Sequence, residues 1–285
     1  MKVYLNGDYV ERERASISVD DRGFIFGDGV YEVTRAIRGR LFEGERHIRR
    51  LERGLKGLGI TPPAEVQDHR LISISECLLR DNGLTNGEAL VYLQITRGAA
   101  PRTHAFPPAD TPPTVYLSAG PFTPPHALRE RGATAITVPD VRWSRCDLKT
   151  VNLLPNTMAK QQAVEAGVDE AIFVRDSAVT EGASTNVFAV FDGVVRTYPE
   201  SNYILGGITR DVVLELAAEC GVPVSATPIF VSDIAHVDEL FLTSTTNDVM
   251  PVVTVDGRAV GSGKPGPVAQ RLYAAMAERL GRVGK

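Results

Sequence analysis

Apolar and polar residues alternate along "KVYLNGDYVE" on either side of Asn6-Gly7, a dipeptide that strongly favours a two-residue hairpin turn. A second alternating pair, "GVYEVTRAIRGRLFEG", folds back around Arg38-Gly39. The period then lengthens. In "ERHIRRLERGLKGLGI" Ile48, Leu51, Leu55 and Leu58 recur at helical spacing, and "HRLISISECLLRDNG" predicts a second helix that Asn82-Gly83 stops. "EALVYLQITRG" and "PTVYLSAG" return to strand character. The first part of the chain is therefore predicted to be antiparallel strands with two helices.

The proline-rich "PFTPP" at 121–125 reads as a linker between a smaller domain over 1–120 and a larger one over 126–285. Beyond it, "TAITVPDVRW", "EAIFVRD", "NVFAVFDGVVRTY", "ELFLTSTT" and "PVVTVDG" predict strands. "PNTMAKQQAVEAG", "TRDVVLELAAECG" and "PVAQRLYAAMAERLG" predict helices. The expected fold class is α+β: two mixed domains with mostly antiparallel sheets, and a cleft between domains is a common place for a ligand.

Composition narrows the partners. Of 285 residues, 43% are hydrophobic and 23% charged, as in ordinary globular proteins. With 31 Lys and Arg against 35 Asp and Glu, no basic excess points to nucleic acid. The start lacks the apolar run of a signal peptide, and no stretch approaches the ~18 apolar residues of a membrane span. Cys77, Cys146 and Cys220 are far apart and lack paired spacing, which argues against a disulfide framework and a zinc site. A cytoplasmic protein with no metal is expected. "GSGKPG" fails the phosphate-loop pattern, "GDGVYE" lacks the third glycine of a dinucleotide fingerprint, and neither GxSxG nor HExxH occurs.

The remaining candidates handle anions and protons. Lys149, in "DVRWSRCDLKTVNLL", sits where a strand is expected to run into a turn, among apolar and β-branched neighbours. Its head could simply snorkel to water. "GGITRDVV" opens a helix at Ile208-Thr209, whose free N–H groups suit a phosphate, although Thr209 as an ordinary cap explains it as well. "TSTTND" at 243–248 is either an oxyanion site or a Ser/Thr turn. Arg50 in "HIRRL" reads as a surface helix residue or a phosphate clamp. Arg102 and His104, two apart in "TRGAAPRTHAFP", form a solvated basic loop or a carboxylate grip. Glu181 alone is a loop acid.

Taken together and in order, "DRGFIFGDGVYE", "HIRRL", "TRGAAPRTHAFP", "RCDLKTVNLLPNTMAKQQA", "DEAIFVRDSAVTEGASTNVF", "ILGGITRDVV" and "DELFLTSTTNDVMPV" resemble the class IV aminotransferases. These form the fold-type IV branch of pyridoxal-phosphate enzymes, and the likeness is greatest to D-amino acid aminotransferases. It runs from the first hairpin to Val252. The resemblance implies that Lys149 is the Schiff-base lysine and that Glu181 keeps the pyridine nitrogen protonated. Arg50, the N–H groups of Ile208 and Thr209, Thr245 and Ser244 would hold the phosphate, and Leu205 would pack on the ring. Tyr31, Arg102 and His104 would grip the substrate carboxylate, the last two coming from the partner in a homodimer. The implied reaction moves the amino group of a D-amino acid such as D-alanine to 2-oxoglutarate or pyruvate. Branched-chain L-amino acid or (R)-amine transamination, or aminodeoxychorismate lysis, are alternatives on the same fold. Ala183, Asn247 and Asp248 depart from the family pattern beside the pocket.

Overall fold

A computed structural model describes residues 1–284. By its contacts the chain divides into two compact units. The first comprises Met1–Thr123 and Leu148–Asn152 with residues 282–284; the second comprises Pro124–Asp147 and Leu153–Gly281.

The first unit runs β1 (Lys2–Leu5), β2 (Asp8–Glu11), α1 (Arg22–Phe26), β3 (Gly29–Ile37), β4 (Arg40–Leu41), α2 (Gly44–Leu58), α3 (Ala64–Gln67), α4 (Leu71–Asp81), β5 (Glu88–Thr96) and β6 (Thr114–Pro121). Both hairpins turn at the expected dipeptides. Asn6 and Gly7 have φ of 50° and 104°, and Arg38 and Gly39 have 50° and 76°. Two successive positive φ values match the right-handed twist of the flanking strands. The strands form one antiparallel sheet in the order β2-β1-β6-β5-β3-β4. Val30, Leu93, Ile95 and Leu117 of the sheet pack with Leu51 and Leu55 of α2 and Leu78 of α4 in one buried core.

The placement of Lys149 corrects the expected domain map. The sequence assigns it to the C-terminal domain, whereas Leu148–Asn152 packs with the first unit. The cause is backbone pairing: Val30 bridges Thr150, the Tyr31 N–H donates to the Lys149 carbonyl at 3.0 Å, and the Val151 N–H to the Gly29 carbonyl at 3.0 Å. Leu148 then fills the space over Gly57 of α2, where a Cβ would come within 2.5 Å of Leu148 Cδ2. The strand expected to lead to Lys149 is also shorter than predicted, ending at Pro139.

The second unit runs α5 (His126–Arg131), β7 (Ala133–Pro139), α6 (Leu154–Glu165), β8 (Glu170–Arg175), β9 (Ala178–Gly182), β10 (Asn186–Phe191), β11 (Val194–Thr197), α7 (Ile208–Glu219), β12 (Val224–Ser225), β13 (Ile229–Phe230), β14 (Glu239–Ser244), β15 (Asp248–Val255), β16 (Arg258–Ala259) and α8 (Pro267–Gly281). Its sheet is mixed: β7 pairs in parallel with β8 and β15, β11 with β12, and the other pairs are antiparallel. The path β10-β14-β15-β7-β8-β9 returns to β10 through one pair, Asn186 with Glu181. The sheet therefore closes on itself where Glu181 sits. Among the described residues no helix is long and apolar enough to cross a membrane.

Candidate functional site

Lys149 is half-buried, and its Nζ lies 4.1 Å from the centroid of the Tyr31 ring. Strand alternation turns Tyr31 to one face of β3 and its neighbours Val30 and Glu32 to the other, towards α2. Glu32 is fully buried there. It accepts two bonds from Arg50, Nε to Oε1 and Nη2 to Oε2 at 2.7 Å each, and His47 Nδ1 lies 2.7 Å from Oε2. Burial alone would push the Glu32 carboxyl up. Arg50, helped by His47, outweighs it and holds the group down at about 2.

His47 is shifted down, first by burial and further by the Arg50 and Lys149 charges, against the pull of Glu32. A neutral imidazole beside an ionised carboxylate must carry its proton on Nδ1 and donate it to Glu32. Residues three apart, His47 and Arg50 share the inner face of α2. Arg50 is therefore a buried, clamped guanidinium, not a surface helix residue.

In the second unit Glu181 lies on β9, 6% exposed. Arg142 Nη1 donates to its Oε1, and its Oε2 accepts the Leu205 N–H at 2.9 Å with Asn186 Nδ2 at 3.4 Å. Burial raises the Glu181 carboxyl and outweighs Arg142 and the Leu205 N–H, and the like charge of nearby Asp140 adds to the rise. Arg142 also grips Asp140 through Nε and Nη2 at 2.9 and 2.8 Å. Burial would raise Asp140, but its bonds to Arg142 and Arg175 hold it at about 2. The face of Arg142 lies 4.3 Å over the Phe173 ring.

Asn186 joins Glu181 to the start of α7. Its Nδ2 donates to the Leu205 carbonyl at 2.9 Å, and a Cβ at position 207 would come within 2.1 Å of its Oδ1, so a side chain there would displace Asn186. Helix α7 begins after Gly207 with no side-chain cap, and Ile208 and Thr209 in its first turn are buried. First-turn N–H groups lack intrahelical acceptors and carry the positive end of the dipole. Asn186 also pairs with Thr243, whose hydroxyl is buried without a hydrogen-bond partner. Ser244 follows it at the end of β14, and Thr245 lies in the next turn. Arg129 of α5 braces that turn, donating to the Asn247 carbonyl at 3.1 Å and to Asp248 at 3.3 Å. A buried acid, an uncapped helix start and an orphaned hydroxyl in one unit fit a cofactor with a basic ring nitrogen and a phosphate.

Arg102 and His104 lie exposed in the loop between β5 and β6. Both rest on one ring: the Arg102 guanidinium lies 5.3 Å from the centroid of Phe26 and the His104 ring 5.7 Å from it. Among the described residues Arg102 has no acidic partner, and neither side chain bonds Tyr31. Tyr31 stacks on Tyr92 at 5.8 Å. The structure thus gathers Lys149 with Tyr31, Glu181 with Leu205, and Arg102 with His104.

Sequence reasoning missed Glu32, His47, Arg142, Asp140 and Asn186. One signal was available: Glu32 shares the core-facing parity of Val30, opposite a helix presenting a His and an Arg three apart. A buried acid facing two buried bases is a cluster, not a surface.

Residues 29–255 match the family model "Amino-transferase class IV". The chain is 41% identical over 271 residues to a D-alanine aminotransferase of Staphylococcus haemolyticus, covering 95% of each. It is 42% identical over 281 residues to a D-alanine aminotransferase of Bacillus licheniformis, covering 97% of this chain and 96% of the relative. Among solved structures it resembles a branched-chain amino acid aminotransferase of Escherichia coli, with a TM-score of 0.89 and 27% identity over 97% of this chain and 93% of that one. It also resembles the T.th. branched-chain enzyme complexed with N-(5'-phosphopyridoxyl)-L-glutamate, at a TM-score of 0.88 and 29% identity over 99% and 95% of the chains.

Proposed function

The chain belongs to the class IV aminotransferases, and from that premise we propose that Lys149 is its cofactor-bearing base and D-amino acids its donors. The reaction is transfer of an amino group from a D-amino acid such as D-alanine to a 2-oxo acid, with pyridoxal 5′-phosphate as cofactor. Identity of 41% to a D-alanine aminotransferase over 95% of both chains carries this reading. The T.th. relative holds a phosphopyridoxyl group in its solved structure, which supports the cofactor. Bound, that cofactor supplies an aldehyde for amine exchange and a ring that draws electrons from the carbon losing its proton.

The protein's residues then act as follows. Lys149 would hold the cofactor through its Nζ and, with its amine free, would be the base that takes the substrate's α-proton. Glu181, buried and only partly compensated, keeps a proton on the ring nitrogen. Leu205, whose N–H bonds Glu181, would pack against the ring. Arg50, clamped by Glu32, and the N–H groups of Ile208 and Thr209 hold the phosphate with Ser244 and Thr245. Tyr31 takes the substrate carboxylate together with Arg102 and His104. The exposure of the last two, and the lack of a bond to Tyr31, support their reaching the substrate of a second copy in a homodimer. Three free cysteines support a reducing, cytoplasmic location.

Branched-chain L-amino acid transamination is the second reading, favoured by the TM-score of 0.89 to the Escherichia coli enzyme. Titrating the cofactor-loaded protein with D-alanine and, separately, L-alanine distinguishes them. The D-enantiomer alone should deplete the absorbance band of the bound cofactor; depletion by the L-enantiomer supports the branched-chain reading instead.

A further inference from the structure

We propose that Arg22, held by Asp28, and the Phe26 ring are positioning residues that present Arg102 and His104 as a pair to the substrate carboxylate. This rests on the carboxylate-binding role given to those two side chains above. They stand on a stretch with almost no regular structure, from Arg97 to Pro113. An unbraced loop would let two exposed side chains wander, and a displacement of about 1 Å in a binding group can weaken catalysis by orders of magnitude.

Two anchors remove that freedom. The first acts on the backbone. Arg22 Nη1 donates to the Thr103 carbonyl at 2.8 Å and lies 3.4 Å from the Ala105 carbonyl. Thr103 is the residue between Arg102 and His104, so the bond fixes the peptide from which both side chains diverge. The second acts on the side chains. Phe26, at the other end of α1, offers one ring to the Arg102 guanidinium at 5.3 Å and to the His104 ring at 5.7 Å.

The anchors themselves are rooted in the sheet. Asp21 caps α1 by accepting the Gly23 N–H at 2.8 Å, and also accepts the hydroxyls of Thr96 at 3.0 Å and Thr114 at 2.6 Å. Asp28 accepts Arg22 Nε at 2.9 Å and both arms of Arg97 at 2.8 and 3.0 Å. Arg97 in turn donates to the Leu58 and Gly59 carbonyls at the end of α2, 2.7 Å each. One carboxylate therefore allows two guanidiniums to be buried together. Burial would raise Asp28, but the two guanidiniums hold it below the usual carboxylate range. The loop's far side is closed by Phe106, whose ring lies 3.7 Å from the Arg97 guanidinium.

Only the guanidinium fork lets one side chain bond Asp28 through Nε and the loop carbonyls through Nη1; a lysine ammonium cannot serve both places. Arg102 is left without an acidic partner among the described residues, which keeps its charge for a ligand.

The test compares Arg22→Lys and Phe26→Leu in the cofactor-loaded full chain, each alone and combined with Arg102→Ala. Two quantities are read: KM and kcat for D-alanine, and the Kd for propionate, a carboxylate that cannot react, from the shift it causes in cofactor absorbance. KM and Kd should rise about tenfold in Arg22→Lys and about threefold in Phe26→Leu, with kcat and the ligand-free spectrum held. In the Arg102→Ala background each change should add less than it does alone, since only its effect through His104 is left. Phe26→Leu leaves the buried charges intact and decides the matter if Arg22→Lys fails to fold. Unchanged KM and Kd in the variants that fold, or losses that multiply with Arg102→Ala, overturn the positioning role. If Arg102→Ala itself leaves KM unchanged, the carboxylate reading falls and takes this proposal with it.

Discussion

Each unit buries a glutamate against an arginine, and the two pairs end in opposite electrostatic states. In the first unit Glu32 has Arg50 in a two-armed grip with His47 added, and it is held at about 2. In the second, Arg142 gives its fork to Asp140 and only one nitrogen to Glu181, whose carboxyl is raised. Both carboxylates are almost fully desolvated, so the difference lies in how completely each is compensated. A fully compensated acid is a permanent anion and serves as a fixture. A partly compensated one still gains from a new cationic partner, which is what a protonated ring nitrogen offers.

The largest expected effect falls on neither acid but on the amine over the Tyr31 ring. Lys149→Ala should abolish transamination, a loss of at least ~10⁴-fold, because a covalent attachment and a proton carrier disappear together. Single-turnover kinetics with D-alanine will measure it, and substantial residual turnover would refute the role.

The two glutamines then break the comparison between the acids. Glu32→Gln should destabilise the protein by about 3–5 kcal/mol at neutral pH, since Arg50 is left buried without its counter-charge. The pH dependence has a definite sign. A carboxyl depressed to about 2 contributes stability above its unfolded value near 4.5, lost as pH falls between these limits. Its magnitude is on the order of 3 kcal/mol. The gap in unfolding free energy between the parent and Glu32→Gln should therefore narrow from pH 4.5 towards 2 in denaturant titrations. A gap independent of acid would show that Glu32 is not the anion described.

Glu181→Gln should behave in the contrary way. A raised carboxyl contributes less as pH climbs past its unfolded value, so neutralising it leaves stability at neutral pH almost unchanged, with Arg142 still forked on Asp140. Its cost should appear in kcat, lower by about 10²–10³-fold. A large drop in melting temperature with normal kcat would invert the assignment.

Arg102→Ala should have a smaller effect than these three replacements. Loss of a charge-assisted bidentate contact is worth ~1.5–3 kcal/mol, so KM for D-alanine should rise about 10- to 150-fold with the protein as stable as before.

What was legible in the sequence follows the range of the interactions. Asn6-Gly7 and Arg38-Gly39 specify their turns within two residues, and the apolar period of α2 and α4 reads over a dozen. Ordered motifs located the candidate lysine, acid and helix start. Long-range pairing was not legible: Thr150 bridges Val30 from 120 positions away, which moves Lys149 into the first unit. The partner of Glu181 lies 39 residues off in a stretch that looks like strand and turn. Asn186 looks like an ordinary polar residue at a strand start until the ring of strands closes through it.

Reduction of the cofactor-loaded protein with borohydride, followed by peptide mapping, tests the central claim most directly. The account predicts a single phosphopyridoxyl label, on Lys149, in the peptide that pairs with β3. A label on another lysine, or none, would contradict it.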